Sequence, residues 1–174
     1  MLLTKIIGCF LVITSSTSMG LYISSELKGR VEDLRELRKL MVLLRGDIRF
    51  AKTPLPEAIN SIARRHEGVY KSFFTKVYVG LDELSGASFT QIWKEAVEKE
   101  LDNTSLAKKD RLLLSQFGEN LGYLDKEMQM NTMDLYITQL EDEIGELSKT
   151  VKEKSYLYSS LGIMAGIFIS IVLL

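Results

Sequence analysis

Apolar residues at Leu27, Val31, Leu34, Leu37, Met41, Leu44 and Ile48 recur three and four positions apart, with Glu32, Asp33, Arg35, Glu36, Arg38 and Lys39 between them. That spacing gathers the apolar set on one helical face and the charges on the other. It predicts a first helix running to about Phe50, continuous with the apolar stretch before it. Thr53-Pro54 predicts the start of a second helix, with Thr as N-cap and Pro at the first position. Its buried stripe is Leu55, Ala58, Ile59, Ile62 and Ala63, and Gly68 is expected to end it. A third helix carries Val69, Phe73, Phe74, Val77 and Leu81. Ser88 with Gln91 three residues later is a capping-box pattern opening a fourth, whose inward face is Phe89, Ile92, Trp93, Ala96, Val97 and Leu101. Ser105 is the expected cap of a fifth, with Leu113, Leu114, Phe117 and Leu121 inward. Met133, Ile137, Leu140, Ile144, Leu147 and Val151 alternate four and three and predict a last helix from about Asp125 to Leu174. At ~1.5 Å per residue that helix is on the order of 75 Å long. Its seam packs most simply against helix one, in coiled-coil fashion. No stretch alternates with period two, so the expected fold class is all-α, a six-helix bundle without a sheet.

The two ends are different in kind. Among Asp, Glu, Lys and Arg, residues 1–23 hold only Lys5, and residues 157–174 hold none. The closing LYSSLGIMAGIFISIVLL, with Tyr156, makes a helix about 28 Å long, close to the ~30 Å of a hydrocarbon core. The opening MLLTKIIGCFLVITSSTSMGLYI has two readings: a signal peptide with Ile6–Ile13 as its apolar region, or a retained span whose hydroxyls bond back to their own helix or across to a partner. Apolar residues resume at Met19–Ile23, which favours the retained span. Lys28, Arg30, Arg35, Arg38, Lys39, Lys149, Lys152 and Lys154 flank the spans on the side of the central domain, against Lys5 alone outside. The richer side stays cytoplasmic. The expected organisation is an N-terminal transmembrane helix over 1–23, a cytoplasmic helical bundle over 24–156 and a C-terminal transmembrane helix over 157–174. Gly162 and Gly166 form a GxxxG, and Ser16, Gly20 and Ser24 a second small-residue series, both suited to close helix packing within a membrane.

Composition removes several classes of function. The chain has 174 residues and a net charge of −1, with one His and one Cys. A near-neutral balance offers no general basic surface for nucleic acid. One His and one Cys supply neither a disulfide nor a His/Cys zinc site, and no P-loop motif occurs. No catalytic residue, metal site or cofactor is expected. His66 sits beside Arg64 and Arg65 at the end of helix two, where a basic cluster suits the helix dipole. Cys9 lies in the apolar opening stretch and reads as packing. The acidic run Glu141, Asp142, Glu143 and Glu146 reads as a solvated face or a dock for a basic partner, and Trp93 as core. Gly118 and Gly122 are costly inside a helix. They read either as a turn before the last helix, the favoured reading, or as a place where a partner backbone comes close. Candidate partner contacts are Arg64, Arg65 and Glu141.

Three stretches resemble the stage III sporulation protein AB family across nearly the whole chain: the short opening span, TPLPEAINSIARR at 53–65 and KDRLLLSQFGENLGYLDKEMQ at 109–129. The closing apolar segment resembles it too. The family pattern falls on Asp110, Phe117, Gly118, Leu121, Gly122, Asp125 and Gln129, with Leu55, Pro56 and Ala58 in the second helix. A hydroxyl residue commonly precedes the second Asp in that family, and here it is Leu124. LPEAI, GASFTQIWKEA and GENLGYL also resemble the cytoplasmic helical domain of type II secretion and type IV pilus inner-membrane platform proteins.

The resemblance implies a non-enzymatic scaffold in the mother-cell membrane facing the forespore, part of a channel required for endospore formation. It implies as partners a cytoplasmic secretion-type ATPase, stage III sporulation protein AA, with other channel membrane proteins and membrane lipid. A homo-oligomer is open. The alternative is a helical membrane signalling or adaptor module unrelated to secretion.

Overall fold

The computed structural model describes residues 2–83, 86–121 and 126–173, with only some side chains in the two terminal stretches. Among them there are six helices and no strand: α1 (Leu2–Arg49), α2 (Leu55–Arg65), α3 (Tyr70–Asp82), α4 (Phe89–Glu100), α5 (Lys108–Leu121) and α6 (Lys126–Leu173). The chain divides into two compact units, Met1–Val31 with Gly145–Leu174, and Glu32–Ile144.

In the unit Glu32–Ile144, α2 packs on α3, α3 on α4 and α4 on α5. The predicted stripes form the core. Leu34, Leu37, Met41 and Leu44 of α1 are at most 1% exposed, as are Ala58 and Ile59 of α2 and Met133 of α6. The α1 and α6 segments run antiparallel, and two ion pairs set their register: Arg38 with Glu141, and Arg45 with Asp134. Ser88 and Gln91 form the predicted capping box, each side chain accepting from the other's backbone N–H, at 3.3 and 3.1 Å.

Several local expectations are corrected. Thr53 does not cap α2. Pro54 takes that position without a side-chain hydrogen bond, because the chain enters along the extended backbone that proline favours. The helix ends at His66, whose φ of −102° and ψ of 136° are extended, and not at Gly68. In α3 the inward residue is Tyr70, fully buried, whereas Val69 stands outside the helix and is 43% exposed. Ser105 does not cap α5, since its N–H donates to Asp33 Oδ2 at 2.6 Å and the α5 entrance is held by Asp110. Leu113 faces outward at 38% exposure, one position from the buried Leu114.

In the other unit, Gly20 and Ser24 are buried, two members of the small-residue series. Thr14 donates to the carbonyl of Leu11 at 3.0 Å and Ser25 to that of Tyr22 at 2.8 Å. Both hydroxyls return to carbonyls of their own helix. Leu11, Met19, Leu21, Met164 and Phe168 are each more than half exposed. Among the described residues, no helix is long and apolar enough to cross a membrane. Most side chains of 157–174 lie outside the described set, as do the surroundings of Gly162 and Gly166.

Candidate functional site

In the unit Glu32–Ile144 an aromatic column runs through four helices. Phe74 and Phe73 of α3 meet edge-to-face with centroids 5.0 Å apart, and Phe73 meets Trp93 of α4 at 4.9 Å. Trp93 meets Phe117 of α5 at 5.7 Å, and Phe117 stacks on Tyr136 of α6 at 4.7 Å. Each pair adds about 0.5–1.5 kcal/mol beyond its buried area. The indole Nε1 of Trp93 donates to the carbonyl of Leu114 at 2.8 Å, which holds α4 against α5 and satisfies the one polar atom of a fully buried ring.

Gly118 explains how the column closes. A Cβ there would lie 2.1 Å from Trp93 Cδ1 and 2.3 Å from Cγ. The turn expected at Gly118 is therefore corrected. The residue lies inside α5, and glycine is required because the indole occupies the space a side chain would need. Gly122 and Asp125 lie outside the described residues. The other motif residues frame α5. Asp110, 3% exposed, accepts from the backbone N–H of Ala107 at 2.8 Å at the helix entrance. Gln129 donates to the carbonyl of Leu121 at 3.3 Å at its exit. Ala58 is fully buried, Leu55 half-buried and Pro56 exposed.

A second set of bonds ties α1 to the connections. Asp33 accepts from the N–H of Ser105 with its carboxylate and from the Tyr70 hydroxyl, at 2.9 Å, with its carbonyl. Partial burial raises the Asp33 carboxyl above the ordinary range against the lowering pull of the Ser105 bond. Burial also pushes the Tyr70 and Tyr136 phenols far up, so both stay neutral. His66 Nε2 stands 2.7 Å from Glu36 Oε1, close but off the angle of a good hydrogen bond. A Cβ at Gly68 would lie 2.5 Å from that same carboxylate oxygen. His66 thus lies against Glu36 where the end of α2 meets α1.

The candidate contact residues are dispersed. Arg64 and Arg65 are exposed at the end of α2, with Arg65 3.7 Å from Asp47. Glu141 is engaged by Arg38, and Glu143 pairs with Lys109 at 2.7 Å, so half of the acidic run is held within the chain. Following α2, an open groove along α3 is lined by Val69, Lys71, Lys76 and Val79, with Glu100 of α4. Among the described residues no group of three or more His, Cys, Asp or Glu is placed to hold a metal. Sequence reasoning missed the Trp93–Gly118 contact, and a glycine at a costly helix position was its one visible sign.

The family model described as stage III sporulation protein AB matches residues 5–174. Stage III sporulation protein AB of Bacillus subtilis (strain 168) is 27% identical over 170 residues, covering 98% of this chain and 99% of that protein. A solved structure of a stage III sporulation protein AB superposes with a TM-score of 0.64 at 29% identity, covering 71% of this chain and 97% of the other.

Proposed function

Since the chain belongs to the stage III sporulation protein AB family, we propose that it is a non-enzymatic membrane scaffold of the mother cell–forespore channel. In this reading the terminal helices anchor it in the mother-cell membrane, and the helical bundle faces the cytoplasm. There the bundle couples a secretion-type ATPase, stage III sporulation protein AA, to membrane components of the channel. The observation that carries the reading is the near full-length family match.

Physical features support each part. Leu11, Met19, Leu21, Met164 and Phe168 expose large apolar side chains on the unit formed by the chain ends, and exposed apolar surface of that extent seeks lipid or protein. The polar groups of the bundle, Asp110 and Gln129 above all, are committed to helix ends and not to a reaction centre. Arg64 and Arg65 offer a basic corner for an acidic partner.

Capture of the ATPase by the tagged full-length chain in detergent tests the coupling. The unsubstituted chain retains the ATPase, and a variant carrying Arg64→Glu and Arg65→Glu retains markedly less. Absence of capture by a folded, monodisperse chain overturns the coupling.

A further inference from the structure

From the outer faces of α1 and α6 we propose that two copies of this chain pair about a two-fold axis parallel to those helices, so that Leu43 of each copy meets Leu135 of the other. On α1 the positions opposite the buried Leu37, Met41 and Leu44 are Arg35, Lys39, Leu43 and Gly46, and Phe50 follows one residue beyond the helix. Phe50 is 79% exposed and Leu43 47%, and a Cβ on Gly46 would meet nothing within 4 Å, so a neighbouring helix finds open space there. On α6 the positions opposite the buried Met133, Ile137 and Leu140 are Met128, Asn131, Leu135, Gln139 and Asp142, with Leu135 61% exposed. Single exposed apolar residues are ordinary. Two facing strips of matching chemistry are not.

The internal ion pairs set the heights. Arg38 stands level with Glu141 and Arg45 with Asp134, seven residues apart in opposite directions on the two helices. In that register Leu43 is level with Leu135, Phe50 with Met128, and Asp142 falls between the levels of Arg35 and Lys39. Rotation about an axis parallel to the helices leaves every height unchanged. It lays α1 of one copy antiparallel on α6 of the other, twice, which is the self-complementary arrangement of a two-fold dimer. Apolar residues then face apolar residues at one end, and Lys39 faces Asp142 at the other. The rotation also keeps Glu32 and Ile144 of both copies at the same end. A perpendicular axis would set α1 against α1 and bring the basic strips together.

The pairing holds whether or not an ATPase binds, and differently tagged copies test it. In full-length chains carrying Cys9→Ser, Leu43→Cys is placed in one copy and Leu135→Cys in the other, co-expressed, purified in detergent and oxidised. A disulfide-linked product bearing both tags is expected, with no product from either substitution alone, because same-position residues lie across the diagonal of the four helices. Absence of the mixed product, or a Leu43→Cys product with itself, overturns the proposal. Light scattering is the second readout: Lys39→Glu returns the chain to monomer with its helical circular dichroism unchanged, and adding Asp142→Lys restores the dimer. A monomeric unsubstituted chain contradicts the pairing.

Discussion

Gly118 lies against the Trp93 indole so closely that a Cβ would fall 2.1 Å from Cδ1, with the ring itself fully buried and its Nε1 bonded to Leu114. The two residues belong to α5 and α4, and neither can shift without disturbing Phe73 or Phe117. The packing of the middle of the bundle converges on this contact.

Gly118→Ala therefore destabilises the chain despite alanine's helix preference of about 1 kcal/mol. Overpacking a closed core costs about 1–3 kcal/mol and occasionally more, and here the atoms in the way belong to a buried ring. Gly145→Ala is the control, since a Cβ added there, inside α6, meets nothing within 4 Å. Denaturant unfolding followed by circular dichroism should give a large loss for Gly118→Ala and no loss, or a gain of up to about 1 kcal/mol, for Gly145→Ala. Trp93→Leu added to Gly118→Ala should recover part of the loss, which a double-mutant cycle reads as coupling.

Tyr136 is 3% exposed, and its hydroxyl has no partner among the described residues. A buried hydroxyl without a partner contributes nothing to offset its lost hydration, so Tyr136→Phe keeps the stack on Phe117 and removes the unpaired group. Thermal unfolding should show a melting temperature unchanged or raised. A drop of several degrees would mean that the hydroxyl is bonded after all.

Asp33 supplies the pH dependence. Its carboxyl is raised in the folded chain, chiefly by burial, so the folded state holds the proton more tightly than the unfolded state does. The associated stability is present at acid pH and is lost as pH rises from the ordinary carboxyl value of 3.8 through the higher folded value. Asp33→Asn removes that increment while its side-chain oxygen still accepts from Ser105. Unfolding free energies measured from pH 3.5 to 7 should show the wild type losing stability relative to Asp33→Asn across that window. A gap that stays constant with pH would contradict the assignment.

How much of this was legible follows from where each signal resides. The number of helices, the stripe of α1 and the Ser88–Gln91 box depend on neighbours within a few residues, and periodicity displays them directly. The reason for Gly118 is an indole 25 positions earlier in the chain, and Gly68 answers to Glu36 on another helix, so neither could be separated from an ordinary turn glycine. Ser105 is a good cap by residue type. Asp110 took the role because a carboxylate three residues beyond Ala107 reaches its N–H, leaving the Ser105 N–H for Asp33. Leu113 and Leu114 differ by one helical step of about 100°, too fine for a stripe of adjacent leucines to resolve. Of the candidate contacts, Arg64 and Arg65 are exposed, and Glu141 meets Arg38 of α1, a partner 103 positions away that periodicity does not display.

The proposed anchoring of the chain, with its bundle facing the cytoplasm, is tested most directly by side-specific labelling. In a Cys9→Ser background, a single cysteine replacing the exposed Lys71 on α3 is treated with a membrane-impermeant maleimide in intact sporulating cells and again after permeabilisation. The account predicts chain in the membrane fraction, unlabelled in intact cells and labelled once they are opened. Labelling in intact cells, or recovery of the chain from the soluble fraction, would contradict it.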